Sequence, residues 1–226
     1  MAIPTDYASL QSWILDWINR PDLSATVPEF IKLAEGDMNS RLKIRHNETV
    51  TSALSLAIST NTVALPANYL ELVSLNIADA IIDQPVKRDT AYVDAIRAHT
   101  NESAGRPRWF AVAASNTLTF DRSADQTYPL NIRYYQRWDV ATDTTNWILT
   151  YKPAIYLGLC LKWASMYIKE ANGMQVWLAE AMNEIDALIT EDRRERAKGM
   201  TARVDNGLVG RSAWNFYTDT LTGYPQ

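Results

Sequence analysis

Apolar positions recur at helical spacing near both ends of the chain and alternate with period two in between. Across residues 153–196, Ile155, Leu159, Trp163, Met166 and Tyr167 mark about one apolar position per turn. Pro153 suits a first helical turn, where a missing N–H costs nothing. Asn172-Gly173 reads as a cap or bend, after which Leu178, Ala181, Met182, Ile185, Leu188 and Ile189 resume the stripe. The charged run Glu191 to Lys198 extends this second helix as a solvated end whose opposite charges pair one turn apart. At the N-terminus, Thr5 or Asp6 caps a helix carrying Leu10, Trp13, Ile14, Trp17 and Ile18, and Asn19-Arg20-Pro21-Asp22 ends it. A second helix begins near Thr26-Val27-Pro28-Glu29, with Phe30, Leu33, Ala34, Met38 and Leu42 as its stripe. Trp13, Trp17 and Phe30 read as core.

From His46 the period changes. Leu54, Leu56 and Ile58 alternate, the turn Ser59-Thr60-Asn61 follows, and Thr62 to Leu65 form a further run. Leu70 and Leu72, then Leu75 and Ile77, alternate with a one-residue slip that predicts a β-bulge. Asp89 or Thr90 caps a short helix through Tyr92, Val93 and Ile96. Trp109–Ala113 and Thr117–Phe120 read as a hairpin about Ser115-Asn116, and Tyr128, Leu130, Ile132 and Tyr134 give the cleanest strand. The pattern therefore predicts an α+β protein. Residues 1–45 and 146–198 form a discontinuous four-helix bundle, and residues 46–145 form an antiparallel β-rich insertion. Residues 199–226 form an extended C-terminal arm, in which Gly207, Gly210 and Gly223 interrupt periodicity although Trp214, Phe216, Tyr217, Leu221 and Tyr224 are present. A disordered tail lacks such aromatics, so this one either docks on a partner or folds back on its own domain.

Composition narrows the chemistry. The 226 residues are 47% hydrophobic and 21% charged, which marks a folded chain. A net charge of −4 argues against a protein that grips phosphates, though not against one that surrounds DNA. Cys160 is the only cysteine, so no internal disulfide forms and an intracellular origin is expected. The start has no signal peptide, and no apolar run reaches membrane-spanning length. Eight tryptophans and eleven tyrosines point to much contact surface.

No catalytic, cofactor or metal site emerges. His46 and His99 lack neighbours at metal spacing and read as solvated residues at helix ends. Cys160 stands between Leu159 and Leu161, as an inert core thiol does. Glycine-rich phosphate loops and a nucleophile elbow are absent. Glu29, Glu35 and Asp37 lie on one helix and Glu180, Glu184 and Asp186 on another. Such acids form a wet helix face, although a glycosidase needs only two of them. Arg41, Lys43 and Arg45, and Arg193, Arg194, Arg196 and Lys198, complement helix C-termini.

Several stretches, in order, carry a resemblance. They are Val27-Pro28-Glu29-Phe30-Ile31-Lys32-Leu33-Ala34-Glu35, Leu65-Pro66-Ala67-Asn68-Tyr69-Leu70-Glu71-Leu72, Gly105-Arg106-Pro107-Arg108-Trp109-Phe110-Ala111-Val112, Ile132-Arg133-Tyr134-Tyr135 and Thr145-Asn146-Trp147-Ile148-Leu149. Across residues 5–190 the chain resembles the neck adaptor, or head-to-tail connector, proteins of short-tailed double-stranded DNA bacteriophages. The resemblance implies a structural virion protein, made in the host cytoplasm, that forms a ring, usually of twelve copies. It implies docking to the portal protein above and to tail nozzle or tube proteins below, with tail fibres as further candidates. DNA would leave through the lumen without sequence-specific binding, and an acidic lumen suits that passage. Portal docking then falls to the arm, with Trp214, Phe216, Tyr217, Leu221 and Tyr224 as its anchors. Two other readings of the residues stand beside this one: a virion-associated cell-wall-cleaving glycosidase, and a carbohydrate- or peptide-binding β-module on a helical stalk.

Overall fold

The computed structural model describes residues 3–79, 84–99, 104–143 and 146–222, with side chains described as far as residue 198 except those of residues 99 and 115. The chain divides into two compact units, residues 1–31 with 148–226 and residues 32–147. The architecture is mixed α and β.

The first unit is helical. Helix α1 (Tyr7–Ile18) begins at a capping box: the Asp6 carboxylate accepts from the Ser9 backbone N–H, and the Ser9 hydroxyl accepts from that of Asp6. The Ser9 backbone N–H, and after it the Ser9 side chain, hold the Asp6 carboxyl below its ordinary value. Asn19 closes the helix in the left-handed conformation that asparagine tolerates. Helix α2 (Val27–Arg41) crosses from the first unit into the second.

At the C-terminal side, α4 (Trp147–Tyr151) leads through Lys152 to α5 (Pro153–Tyr167), with the proline in its first turn. Nine residues of α5, including Tyr156, Cys160 and Ser165, are buried around most of its circumference. Such a helix lies inside its unit rather than on it. Helix α6 (Ala171–Thr222) buries Ala181, Ile185 and Leu188 along one stripe. It packs against α5 so closely that a β-carbon on Gly158 would stand 2.9 Å from that of Ala181. Helix α1 also packs on α5.

Two expectations change here. The break between α5 and α6 falls at Lys169, whose φ is 64°, and Asn172-Gly173 lies in the first turn of α6. Gly173 sits in a tight spot: a β-carbon there would come within 3.1 Å of the Ser165 hydroxyl and 3.2 Å of the Glu170 carboxyl carbon, so those side chains would have to shift to admit one. The backbone of residues 199–222 is helical and continues α6, so the C-terminal arm is not extended as far as Thr222. Glycine inside a helix costs only about 1 kcal/mol relative to alanine. Gly207 and Gly210 therefore weaken the helix without ending it.

The second unit carries the sheets. Strands β1 (Glu48–Leu56), β3 (Tyr69–Ile77) and β7 (Tyr128–Gln136) form an antiparallel sheet with β7 at its centre. Strands β2 (Thr62–Ala64), β6 (Thr117–Phe120), β5 (Trp109–Ala113) and β4 (Val86–Lys87) form the other, in that order. The β4–β5 pair is parallel, which corrects the purely antiparallel expectation. Helix α3 (Thr90–His99) makes the crossover that a parallel pair needs. Alternation explains β7, whose Tyr128, Leu130, Ile132 and Tyr134 are all buried. The phase slip in β3 is real: its register against β7 shifts between Leu72 and Ser74. Both sheets feed one core, with Leu56, Val63, Leu75, Phe110, Leu118, Phe120 and Leu130 among its members. Asn116, at φ 52°, makes the β5–β6 turn.

Candidate functional site

The residues considered for chemistry are spread over both units. Cys160 is fully buried in α5. His46 lies beyond the end of α2, in the short turn Arg45–Asn47, where its ring stacks on Trp147 with centroids 4.0 Å apart and planes 6° from parallel. The side chain of His99 lies outside the described residues. Glu35 is not on a wet face. It is buried, and one carboxylate oxygen accepts from the Val140 N–H at 2.6 Å.

Four residues along α2, Asn39 holds Trp138 from both sides: Oδ1 accepts from its N–H at 2.7 Å and Nδ2 donates to its carbonyl at 3.2 Å. The Trp138 indole N–H donates to the carbonyl of Leu42 at 3.3 Å. Thus α2 reads the backbone of residues 138–140 with two side chains one turn apart. Glu29, Glu180 and Asp186 are exposed, and Glu184 lies 3.9 Å from Lys152. Of the cations, Lys43 pairs with Glu71, and Arg196 with Asp192. Among the described residues no cluster of His, Cys, Asp or Glu has the arrangement of a metal site, and no helix is long and apolar enough to cross a membrane.

An open polar recess of about 610 Å³ in the second unit is lined by His46, Gln136, Trp138, Thr142, Asp143, Asn146 and Trp147. Among the described residues its lining offers hydrogen-bonding groups and a single acid, Asp143.

What stands out in the first unit is apolar surface. Trp17, Met166, Tyr167 and Val176 are 45%, 46%, 58% and 62% exposed. All lie at the end of α1, the end of α5 or the start of α6. They are locally braced: Trp17 meets Trp177 edge-on at 5.8 Å and Trp13 at 6.5 Å, and Tyr167 meets Phe30 at 5.7 Å. Beside them Arg20 forks onto Asp22 with two 2.8 Å hydrogen bonds, which hold the Asp22 carboxyl below its usual range. Helical spacing suggested core for Trp17 and put Met166 and Tyr167 on an apolar stripe. They occupy last turns, where the periodic face runs on past the body that would cover it. An exposed aromatic cluster rimmed by charge is the ordinary form of a protein–protein contact.

A family model described as SU10 adaptor protein matches residues 5–205. The chain belongs to the SU10 adaptor protein family. It is thus of the phage adaptor type, a structural class that works by contact with other virion proteins. No curated protein matches the chain. The stretches that carried the resemblance prove to be joints of this adaptor. The Asn68 side chain accepts from the Tyr134 hydroxyl at 3.0 Å, and its carbonyl accepts from the Arg137 N–H at 2.8 Å. The N–H groups of Arg108 and Trp109 converge on the buried Asp121 carboxylate at 2.9 and 3.1 Å. Trp147 is the ring under His46. The expected arm anchors Trp214, Phe216, Tyr217 and Leu221 have side chains outside the described part, as does the whole of Tyr224. Residues 206–226 also follow the end of the family match.

Proposed function

We propose that this adaptor is a ring-forming structural protein of the virion that joins the capsid portal to the tail and encloses part of the DNA exit channel. The observation that carries the reading is the exposed cluster of Trp17, Met166, Tyr167 and Val176 in a member of an adaptor family. Large apolar groups left in water favour burial on association, at roughly 25 cal/mol per Å² of apolar surface. Braced aromatics are the usual anchors of such contacts. In this reading α1, α2, α5 and α6 act as a four-helix bundle, and residues 46–145 form a β-rich insertion that contacts ring neighbours or the tail. The end of α6, with Trp214, Phe216, Tyr217, Leu221 and Tyr224, reaches the portal. Twelve copies, tail nozzle proteins below and assembly in the host cytoplasm complete the picture. The buried uses of Glu35 and Cys160 favour this reading over an enzymatic one.

The test is replacement of the cluster. Trp17→Ala and Tyr167→Ala each weaken association with the portal, or of the chain with itself, by roughly tenfold or more, as interface anchors do, while far-UV circular dichroism stays unchanged. Association unchanged in both variants would remove the cluster from the interface.

A further inference from the structure

The second unit carries a surface that the adaptor reading has not used. Arg88, Tyr92, Trp109 and Arg108 form a row of alternating cations and rings. The Arg88 guanidinium stands 5.7 Å over the Tyr92 ring, Tyr92 meets Trp109 edge-on at 5.9 Å, and the Arg108 guanidinium stands 4.6 Å over Trp109. Three elements build it: the edge strand β4 delivers Lys87, with Arg88 directly after it, α3 delivers Tyr92, and the start of β5 delivers Trp109. Asp121 underpins it from inside, with its carboxylate spent on two N–H groups and on Arg108 and Arg122. Arg88, Lys87 and Tyr92 are exposed, and neither Lys87 nor Arg88 forms an ion pair with any described residue. The acids nearby are engaged: Asp89 accepts from the Ala91 N–H in the first turn of α3, and Asp94 pairs with Arg97.

The complementary surface is on α6. Between Lys169 and Arg193 there is no Lys or Arg, while Glu170, Glu180, Glu184, Asp186, Glu191 and Asp192 fall in that stretch. Glu180, Glu184 and Glu191 lie within an arc of about 40°, at 3.6 residues per turn. Glu180 and Glu191 are exposed and form no ion pair with any described residue. Val176 continues the same face with its side chain in water.

We propose that the Arg88–Tyr92–Trp109–Arg108 row docks the acidic face of α6 from a second copy of this chain. The inference rests on the ring-forming reading and names the two surfaces of the subunit contact. Because they differ, the contact is heterologous, the kind that closes into a ring when its rotation allows. The rings supply apolar area for Val176 and the helix stem, and the cations meet Glu180 and Glu191.

The test uses the full chain. Lys87→Glu/Arg88→Glu reverses one surface, and Glu180→Lys/Glu191→Lys reverses the other. All four sites are exposed, so each variant keeps the wild-type melting profile. Sedimentation across a concentration series reads the assembly midpoint. Each variant alone shifts it upward by roughly tenfold or more, because like charges then face each other, and an equimolar mixture of the two restores it. Wild-type chain that stays monomeric throughout, alone and with portal, contradicts ring formation and this contact together. Wild-type assembly matched by both variants, or not restored in the mixture, overturns the contact alone. Loss of single-stranded oligonucleotide retention by Lys87→Glu/Arg88→Glu, with assembly intact, would assign the row to nucleic acid and overturn the proposal.

Discussion

Asn39→Ala isolates the clamp between α2 and the strand-exit backbone. The amide makes two hydrogen bonds to one residue, at 2.7 Å to the Trp138 N–H and 3.2 Å to its carbonyl. Trp138 is 3% exposed, so water does not readily replace either partner. An unsatisfied buried group costs about 1–3 kcal/mol. With two groups left and the longer bond the weaker, the expected loss is about 2–4 kcal/mol. In a chain of this size each kcal/mol moves the melting midpoint by about 2–4 °C, so a drop of roughly 5–15 °C follows. Urea unfolding followed by tryptophan fluorescence reads the same loss, with Trp138 a local reporter. Ser40→Ala is the control: the next residue is exposed, its hydroxyl bonds only the Asp37 carbonyl, and its loss stays within about 0.5 kcal/mol. An Asn39→Ala midpoint no different from that of Ser40→Ala would refute the argument that this amide fixes the segment.

Four further outcomes follow from the packing. Gly158→Val drives atoms into Ala181 and the Trp177 carbonyl and lowers stability by about 1–3 kcal/mol. Gly36→Ala, with nothing within 4 Å of the new methyl, raises it by roughly 0.5–1 kcal/mol; thermal melts of both check the sign. Burial raises the hydroxyls of Tyr69, Tyr128 and Tyr134 above their ordinary 10.0. The neutral forms are the ones folding favours, so this contribution is intact below 10.0 and is lost as pH rises through the raised values. Phenolate absorbance should show these tyrosines ionising late, with urea midpoints falling in the same window. Truncation after Gly199 leaves the buried stripe Ala181, Ile185 and Leu188 in place. The shortened chain should therefore keep its melting midpoint and lose portal binding in a pull-down; full binding would release the end of α6 from that role.

The parts of the fold legible in the sequence are those where local pattern and tertiary burial agree. The alternation of Tyr128, Leu130, Ile132 and Tyr134 is read correctly because one face of β7 is core, and the slip after Leu72 appears as a register shift. Pro153 marks the start of α5 for the same local reason. Where a glycine's setting is a matter of space rather than conformation the pattern misleads. Gly173 resembles a helix stop but sits in a tight spot, while Lys169 takes the left-handed turn without any sequence signal. Gly207 and Gly210 hid a continuing helix, since two weak positions do not outweigh favourable neighbours.

The contact surfaces were the least legible. Helical spacing gives Trp17 and Tyr167 a direction but not what lies beyond the last turn. Arg88 and Arg108 are twenty residues apart, and only the parallel β4–β5 pairing brings them to one edge. Glu35 sat among acids that looked solvated, and its partner Val140 is 105 positions away.

The central claim is that this chain assembles as a ring upon a portal. Its most direct test is the mass, by native mass spectrometry or light scattering, of the purified protein alone and mixed with its cognate portal. A discrete complex holding many copies of the adaptor per portal ring is the result expected. A monomer whose mass is unchanged by the portal at any concentration would contradict it.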